Sequence, residues 1–147
     1  MKTSHAIQNS LRFWLKFSNA NAFEQATRQP AVAQEKKLLD IIRRNQQTEY
    51  GREHQFARIR SVEDFQAAVP INSYETLTPY IERTLHGIPN VLTDDKPIMF
   101  ATTSGTTGRA KYIPVTPSYL HEYSHGIHVH TYRMIADFEN VFEGKAL

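Results

Sequence analysis

The chain has 147 residues, enough for one domain or a piece of a larger one, and its 40% hydrophobic and 22% charged residues exclude wholesale disorder. A formal charge of +2 is too small to argue for nucleic acid as a partner. No cysteine is present, which excludes a disulfide framework and any thiolate metal site and fits a cytoplasmic protein.

The first predicted element is helical, over residues 4–27, with a weak middle at Ser18-Asn-Ala-Asn21. Ile7, Leu11, Trp14 and Leu15 share one face, the pattern of an amphipathic helix packed on the rest of the protein. Arg12 and Lys16 interrupt its apolar run, so it is neither a signal peptide nor a membrane span, which needs about twenty apolar residues. Pro30 suits the first turn of a second helix, with Ala33, Leu38, Ile41 and Ile42 facing inward and Gly51 as a left-handed stop. From Glu35 to Arg60 there are seven Lys/Arg against four Asp/Glu. A solvated helix face laced with ion pairs accounts for these charges better than a phosphate-binding patch.

Ser61 caps a short helix that buries Phe65 and Ala68 and stops before Pro70. Asn72 or Ser73 opens the next helix, which closes at Gly87. Val91-Leu92 and Pro97–Ala101 read as strands, and Lys111–Val115 as another, its Pro114 suited to a sheet edge. Thr116-Pro117 starts a helix to about Phe138, Thr as cap and Pro at the first helical position. Lys145–Leu147 looks like the beginning of a further strand, which suggests a fragment.

Between the last two strands lies Ser104-Gly-Thr-Thr-Gly-Arg-Ala-Lys111. Glycines let backbone amides approach a ligand, successive amides in a tight turn form an anion nest, and hydroxyls and Lys111 add donors and charge. The natural guest is a phosphate chain. The pattern is not a Walker A loop, because Lys111 comes three residues after Gly108 and enters a strand rather than a helix. A polar hairpin turn has the same composition, and composition alone does not separate the two.

Thr102-Thr-Ser-Gly-Thr-Thr-Gly-Arg-Ala-Lys111 resembles the phosphate-binding motif of the adenylate-forming, luciferase-like superfamily. The continuation Tyr112-Ile-Pro-Val-Thr116 narrows the likeness to the auxin-responsive acyl-acid–amido synthetase family, in a bacterial-type member. Asn45 with Thr48-Glu-Tyr-Gly-Arg52, then Phe65–Ile71, Tyr74-Glu75, Pro79-Tyr80-Ile81, Arg83 and Gly87, follow that family's order and spacing.

The resemblance implies an ATP-dependent enzyme that joins a carboxylic acid to an amino acid through an acyl-adenylate. It implies that Thr103, Ser104, Gly105, Thr106, Thr107 and Gly108 hold the nucleotide phosphates, that Lys111 adds positive charge, and that Mg²⁺ rides on the phosphates. Tyr119 and Tyr123 are candidates for the acyl pocket, with ordinary packing the plainer role. The implied fold class is α/β, the N-terminal part of a large adenylation domain, helix-rich with short strands framing the phosphate loop. Residues 1–60 would form a helical N-terminal region and residues 61–147 the segment bearing the loop. The resemblance further implies a truncated, inactive chain whose partner is the remainder of the enzyme, with no nucleic acid and no membrane involved.

A rival motif is His121-Glu-Tyr-Ser-His125, which matches the H-E-x-x-H of zinc peptidases, in which two His one turn apart bind the metal and Glu activates water. Glu143 would have to serve as third ligand. Three fixed positions arise by chance in about one such chain in fifty, whereas the amido-synthetase likeness fixes many more. A solvated helix rich in polar aromatics is the plainer explanation of the motif, and a non-catalytic helical interaction module is the remaining alternative.

Overall fold

A computed structural model describes residues 9–11, 13, 14, 20–104 and 110–138. In chain order the elements are α1 (Asn21–Ala26), α2 (Pro30–Asn45), α3 (Glu49–Glu53), a 3₁₀ turn (Phe56–Arg58), α4 (Val62–Ala68), α5 (Tyr74–Leu85), β1 (Met99–Thr102), β2 (Tyr112–Val115) and α6 (Pro117–Asp137). Among the described residues the chain is helix-rich with one small sheet, in keeping with the α/β expectation. It divides into two units, Ala31–Leu120 and Met1–Pro30 with His121–Leu147. Among the described residues no helix is long and apolar enough to cross a membrane.

In the unit Ala31–Leu120, α2 begins at Pro30 as expected but ends at Asn45, not at Gly51. Asn45 supplies its own stop. Its side-chain amide donates to the Ile41 carbonyl at 2.8 Å, and its side-chain oxygen accepts the Asp94 amide at 2.9 Å. Its main-chain carbonyl accepts the Thr48 hydroxyl at 2.7 Å. Gly51 lies inside α3, buried, where a Cβ would stand 2.1 Å from the Asn45 carbonyl oxygen. The glycine is therefore required by close backbone approach, not by a left-handed turn. Ile42 is buried while Ile41 is exposed, so the inward stripe of α2 is narrower than predicted.

Thr48 caps α3 by accepting the Gly51 amide at 3.0 Å. The amides of Glu49 and Tyr50 donate to the carbonyls of Asn90 and Val91 at 2.8 and 3.1 Å. Val91-Leu92 is thus a bend rather than the predicted strand. Val91 is buried, and its carbonyl serves the orphan donors of a helix. The core of this unit is Ile42, Phe56 and Ile59, with Leu38, Leu39, Tyr50, Phe65, Ala68 and Val69 packed around it.

The predicted caps of the next helices hold. Ser61 accepts the Asp64 amide at 3.2 Å and Ser73 the Thr76 amide at 3.4 Å. Helix α5 ends in a Schellman motif: Gly87 has φ of 81°, its amide donates to Thr84, and the Ile88 amide donates to Arg83. Pro79 sits within α5 and gives up one helical hydrogen bond.

β1 and β2 pair antiparallel, from Met99 opposite Val115 to Thr102 opposite Tyr112. Pro114 faces Phe100 at a position whose amide would point away from the partner strand, so the ladder loses no bond. Thr116 then caps α6 through the Tyr119 amide at 3.2 Å, with Pro117 as first helical residue.

In the other unit, Ala20, Tyr132 and Ile135 form a buried cluster on which Leu11 and Ala136 pack. Trp14, predicted on the packed face, is instead 56% exposed and meets His128 edge-on at 5.6 Å. Ile7 and Leu15 of that predicted stripe, and the predicted strand at Lys145–Leu147, lie outside the described residues.

Candidate functional site

The hydroxyl-rich stretch lies in the sequence between β1 and β2. Beyond the Thr102–Tyr112 pair, the stem gains one more rung at Thr103 and Lys111. The Thr103 amide donates to the Lys111 carbonyl at 3.2 Å, and the Lys111 amide donates to the Thr103 hydroxyl at 3.1 Å. Thr103 and Lys111 thus meet at the mouth of the hairpin stem, with Ser104 next in the chain, and all three are exposed. Gly105, Thr106, Thr107 and Gly108, predicted with them, lie outside the described residues.

Helix α5 reaches this mouth from the side. Its first residue, Tyr74, accepts the Tyr112 amide on its phenolic oxygen at 2.8 Å. The Tyr74 ring lies 5.1 Å from the Lys111 ammonium nitrogen, within cation–π range. Glu75 follows. Its carboxyl is held below the usual range first by its own backbone amide, then by Ser73, with the Lys111 charge adding to the effect.

A polar seam fixes α5 against α3. Arg83 pairs with Glu49, and the Tyr80 hydroxyl donates to Glu53. Asn72 donates to the Tyr50 hydroxyl at 2.8 Å, and Thr76 donates to Asn72 at 3.0 Å. Arg83 holds the Glu49 carboxyl below its ordinary range, and the hydrogen bond to Glu53 pushes the Tyr80 phenol up to about 12. Burial raises the Tyr50 phenol. The seam sets the direction from which Tyr74 meets the hairpin.

The basic stretch at 35–60 behaves as the solvated face expected of it. Arg43 pairs with Asp40 at 2.7 Å, and Arg58 donates to Gln55 at 2.8 Å. Tyr119 and Tyr123 lie on α6, both exposed. His121 and His125 also lie on α6, their ring centroids 4.2 Å apart. Among the described residues no group of three His, Cys, Asp or Glu is placed to hold a metal ion. Glu143, the proposed third ligand, lies outside them.

The model of the GH3 family N-terminal domain matches residues 19–147. The chain belongs to the GH3 family. This GH3 chain is 37% identical over 93 residues to the indole-3-acetic acid-amido synthetase GH3.2 of Arabidopsis thaliana, a match covering 62% of the chain and 17% of that protein. It is 39% identical over 93 residues to the probable indole-3-acetic acid-amido synthetase GH3.2 of Oryza sativa subsp. japonica, covering 62% of the chain and 15% of that protein. Over a longer stretch of 126 residues it is 32% identical to the Arabidopsis thaliana indole-3-acetic acid-amido synthetase GH3.15, covering 84% of the chain and 21% of that protein. The GH3 chain thus matches about a fifth of the length of these curated relatives.

Sequence reasoning named Thr103, Ser104 and Lys111 but gave Tyr74 no role. Tyr74-Glu75 carried only the family likeness, and no local signal joins Tyr74 to a lysine far along the chain.

Proposed function

We propose that this GH3 chain is the N-terminal part of a bacterial-type, cytoplasmic, ATP-dependent acyl-acid–amido synthetase of the adenylate-forming type. The observation that carries the reading is the pairing of Thr103 with Lys111 at the mouth of a stretch rich in hydroxyls and glycines. The names of the three relatives, indole-3-acetic acid-amido synthetases, support the same class.

In the proposed reaction a carboxylate oxygen attacks the α-phosphorus of ATP, a P–O bond forms, and pyrophosphate leaves. The amine of an amino acid then attacks the acyl carbon, loses a proton, and displaces AMP to leave an amide. The step needs charge neutralised on the phosphates and the attacking oxygen aligned, and preorganised donors serve both needs. Thr103, Ser104, Thr106 and Thr107 would donate through hydroxyls, Gly105 and Gly108 through open backbone, and Lys111 through its ammonium group. These groups complement an anion. Mg²⁺ would therefore be held by the phosphates rather than by these groups, lowering the charge that opposes attack.

The test is calorimetric titration of the 147-residue chain with Mg-ATP, comparing wild type with Ser104→Ala and Lys111→Ala. Losing one hydrogen bond to a charged group should weaken binding about tenfold or more. Unchanged affinity in both variants would sink the phosphate reading. The same chain, offered ATP with a panel of carboxylic acids, is expected to release no pyrophosphate above background. Acyl-adenylate formation would show that it needs no further segment.

A further inference from the structure

We propose that Tyr74 is the positioning residue for Lys111, fixing where its ammonium group stands beside the hairpin mouth; the inference rests on the phosphate reading of that turn. A lysine on an exposed hairpin has a long flexible stem, and ordering it at the moment of binding weakens the contact it makes. Tyr74 removes that freedom beforehand. Its backbone is set by the Ser73 cap at the start of α5, and its hydroxyl is pinned by the Tyr112 amide at 2.8 Å. The ring is therefore held at both ends, and its face lies 5.1 Å from the Lys111 nitrogen. Glu75 is a charged neighbour as well, but its own backbone amide and Ser73 dominate its carboxyl, with the Lys111 charge the last contributor. The Tyr74 ring face is the contact that defines where the lysine nitrogen stands.

The residue acts through Lys111, so its effect must vanish when Lys111 is gone. The experiment titrates the full chain with Mg-ATP in wild type, Tyr74→Leu, Tyr74→Phe, Lys111→Ala and the Tyr74→Leu/Lys111→Ala double variant. Tyr74→Leu should weaken binding about two- to fivefold, the range of an exposed cation–π contact. Tyr74→Phe keeps the ring and should retain most of the affinity. In the double variant the Tyr74 change should cost nothing further. Separately, NMR without nucleotide should show the Lys111 ε-methylene protons shifted upfield by the ring in wild type and Tyr74→Phe. An ordinary lysine shift in the wild-type chain overturns the proposal even where Tyr74→Leu fails to fold. If Lys111→Ala weakens binding while Tyr74→Leu costs the same with or without Lys111, the positioning role alone is overturned. If Lys111→Ala binds Mg-ATP as wild type does, or wild type binds none, the phosphate reading falls and the inference falls with it.

Discussion

Replacing Gly51 by alanine pits two effects of opposite sign against each other. Within a helix, alanine is favoured over glycine by about 0.5–1 kcal/mol. At this site the new Cβ would stand 2.1 Å from the Asn45 carbonyl oxygen and 3.0 Å from the Thr48 hydroxyl. The first distance lies far inside the roughly 3.5–4.0 Å of an optimal contact. The obstacle is backbone that also closes α2, so no side-chain rotation relieves it. Overpacking of this kind costs about 1–3 kcal/mol. Moving α3 away also breaks the Thr48 cap on the Gly51 amide, worth about 1 kcal/mol. The net expectation is a loss of roughly 1–3.5 kcal/mol after the propensity gain is subtracted. Urea denaturation followed by far-UV circular dichroism measures it as a lower midpoint at unchanged slope. A Gly51→Ala chain as stable as wild type, or more so, would refute the close-approach argument and return Gly51 to an ordinary helix position.

Gly87→Ala makes a useful contrast, because nothing lies within 4 Å of a Cβ built there and its φ is 81°. The cost should be purely conformational, about 1 kcal/mol in the same denaturation assay, with Gly87→Asn cheaper; a neutral Gly87→Ala would dispose of the Schellman reading. The Tyr80 phenol, raised to about 12 by its hydrogen bond to Glu53, binds its proton more tightly folded than unfolded. Its contribution to stability is therefore fully present below about pH 10 and lost as pH rises toward about 12. Titration of the phenolate absorbance should show Tyr80 ionising last, behind a Tyr50 also delayed by burial, and the last phase should move down in Glu53→Gln; all 7 tyrosines ionising together would contradict the contact.

The parts of the fold legible in the sequence are those decided within a few residues. A serine or threonine three positions before an amide it can accept reads directly as a cap, which is why Ser61, Ser73 and Thr116 fall where expected. Gly87 needs only its own φ. Gly51 misled because its requirement comes from Asn45, across a turn whose geometry depends on Thr48. Val91-Leu92 misled because an apolar pair resembles a strand, while its neighbouring carbonyls are claimed by α3, far earlier in the chain. Trp14 was assigned inward by periodicity, yet aromatic bulk at one turn does not guarantee a partner there. At the candidate site, hydroxyls and glycines announce themselves as composition. The approach of Tyr74 to Lys111 does not, because it depends on the α3–α5 seam and the strand register together.

Pro114 and Tyr74 together decide in which direction the small sheet can be extended. With Thr103 and Lys111 as a bonded pair, alternation turns the main-chain groups of Tyr112 and position 114 to the outer side of β2. One of those amides is engaged by a phenol, and the other does not exist because the residue is proline. That margin has no donor to offer a newcomer, the way many proteins guard against unwanted strand-to-strand adhesion. An additional strand on that side would find only carbonyls to pair with, so the outer edge of β2 is the poorer template for one.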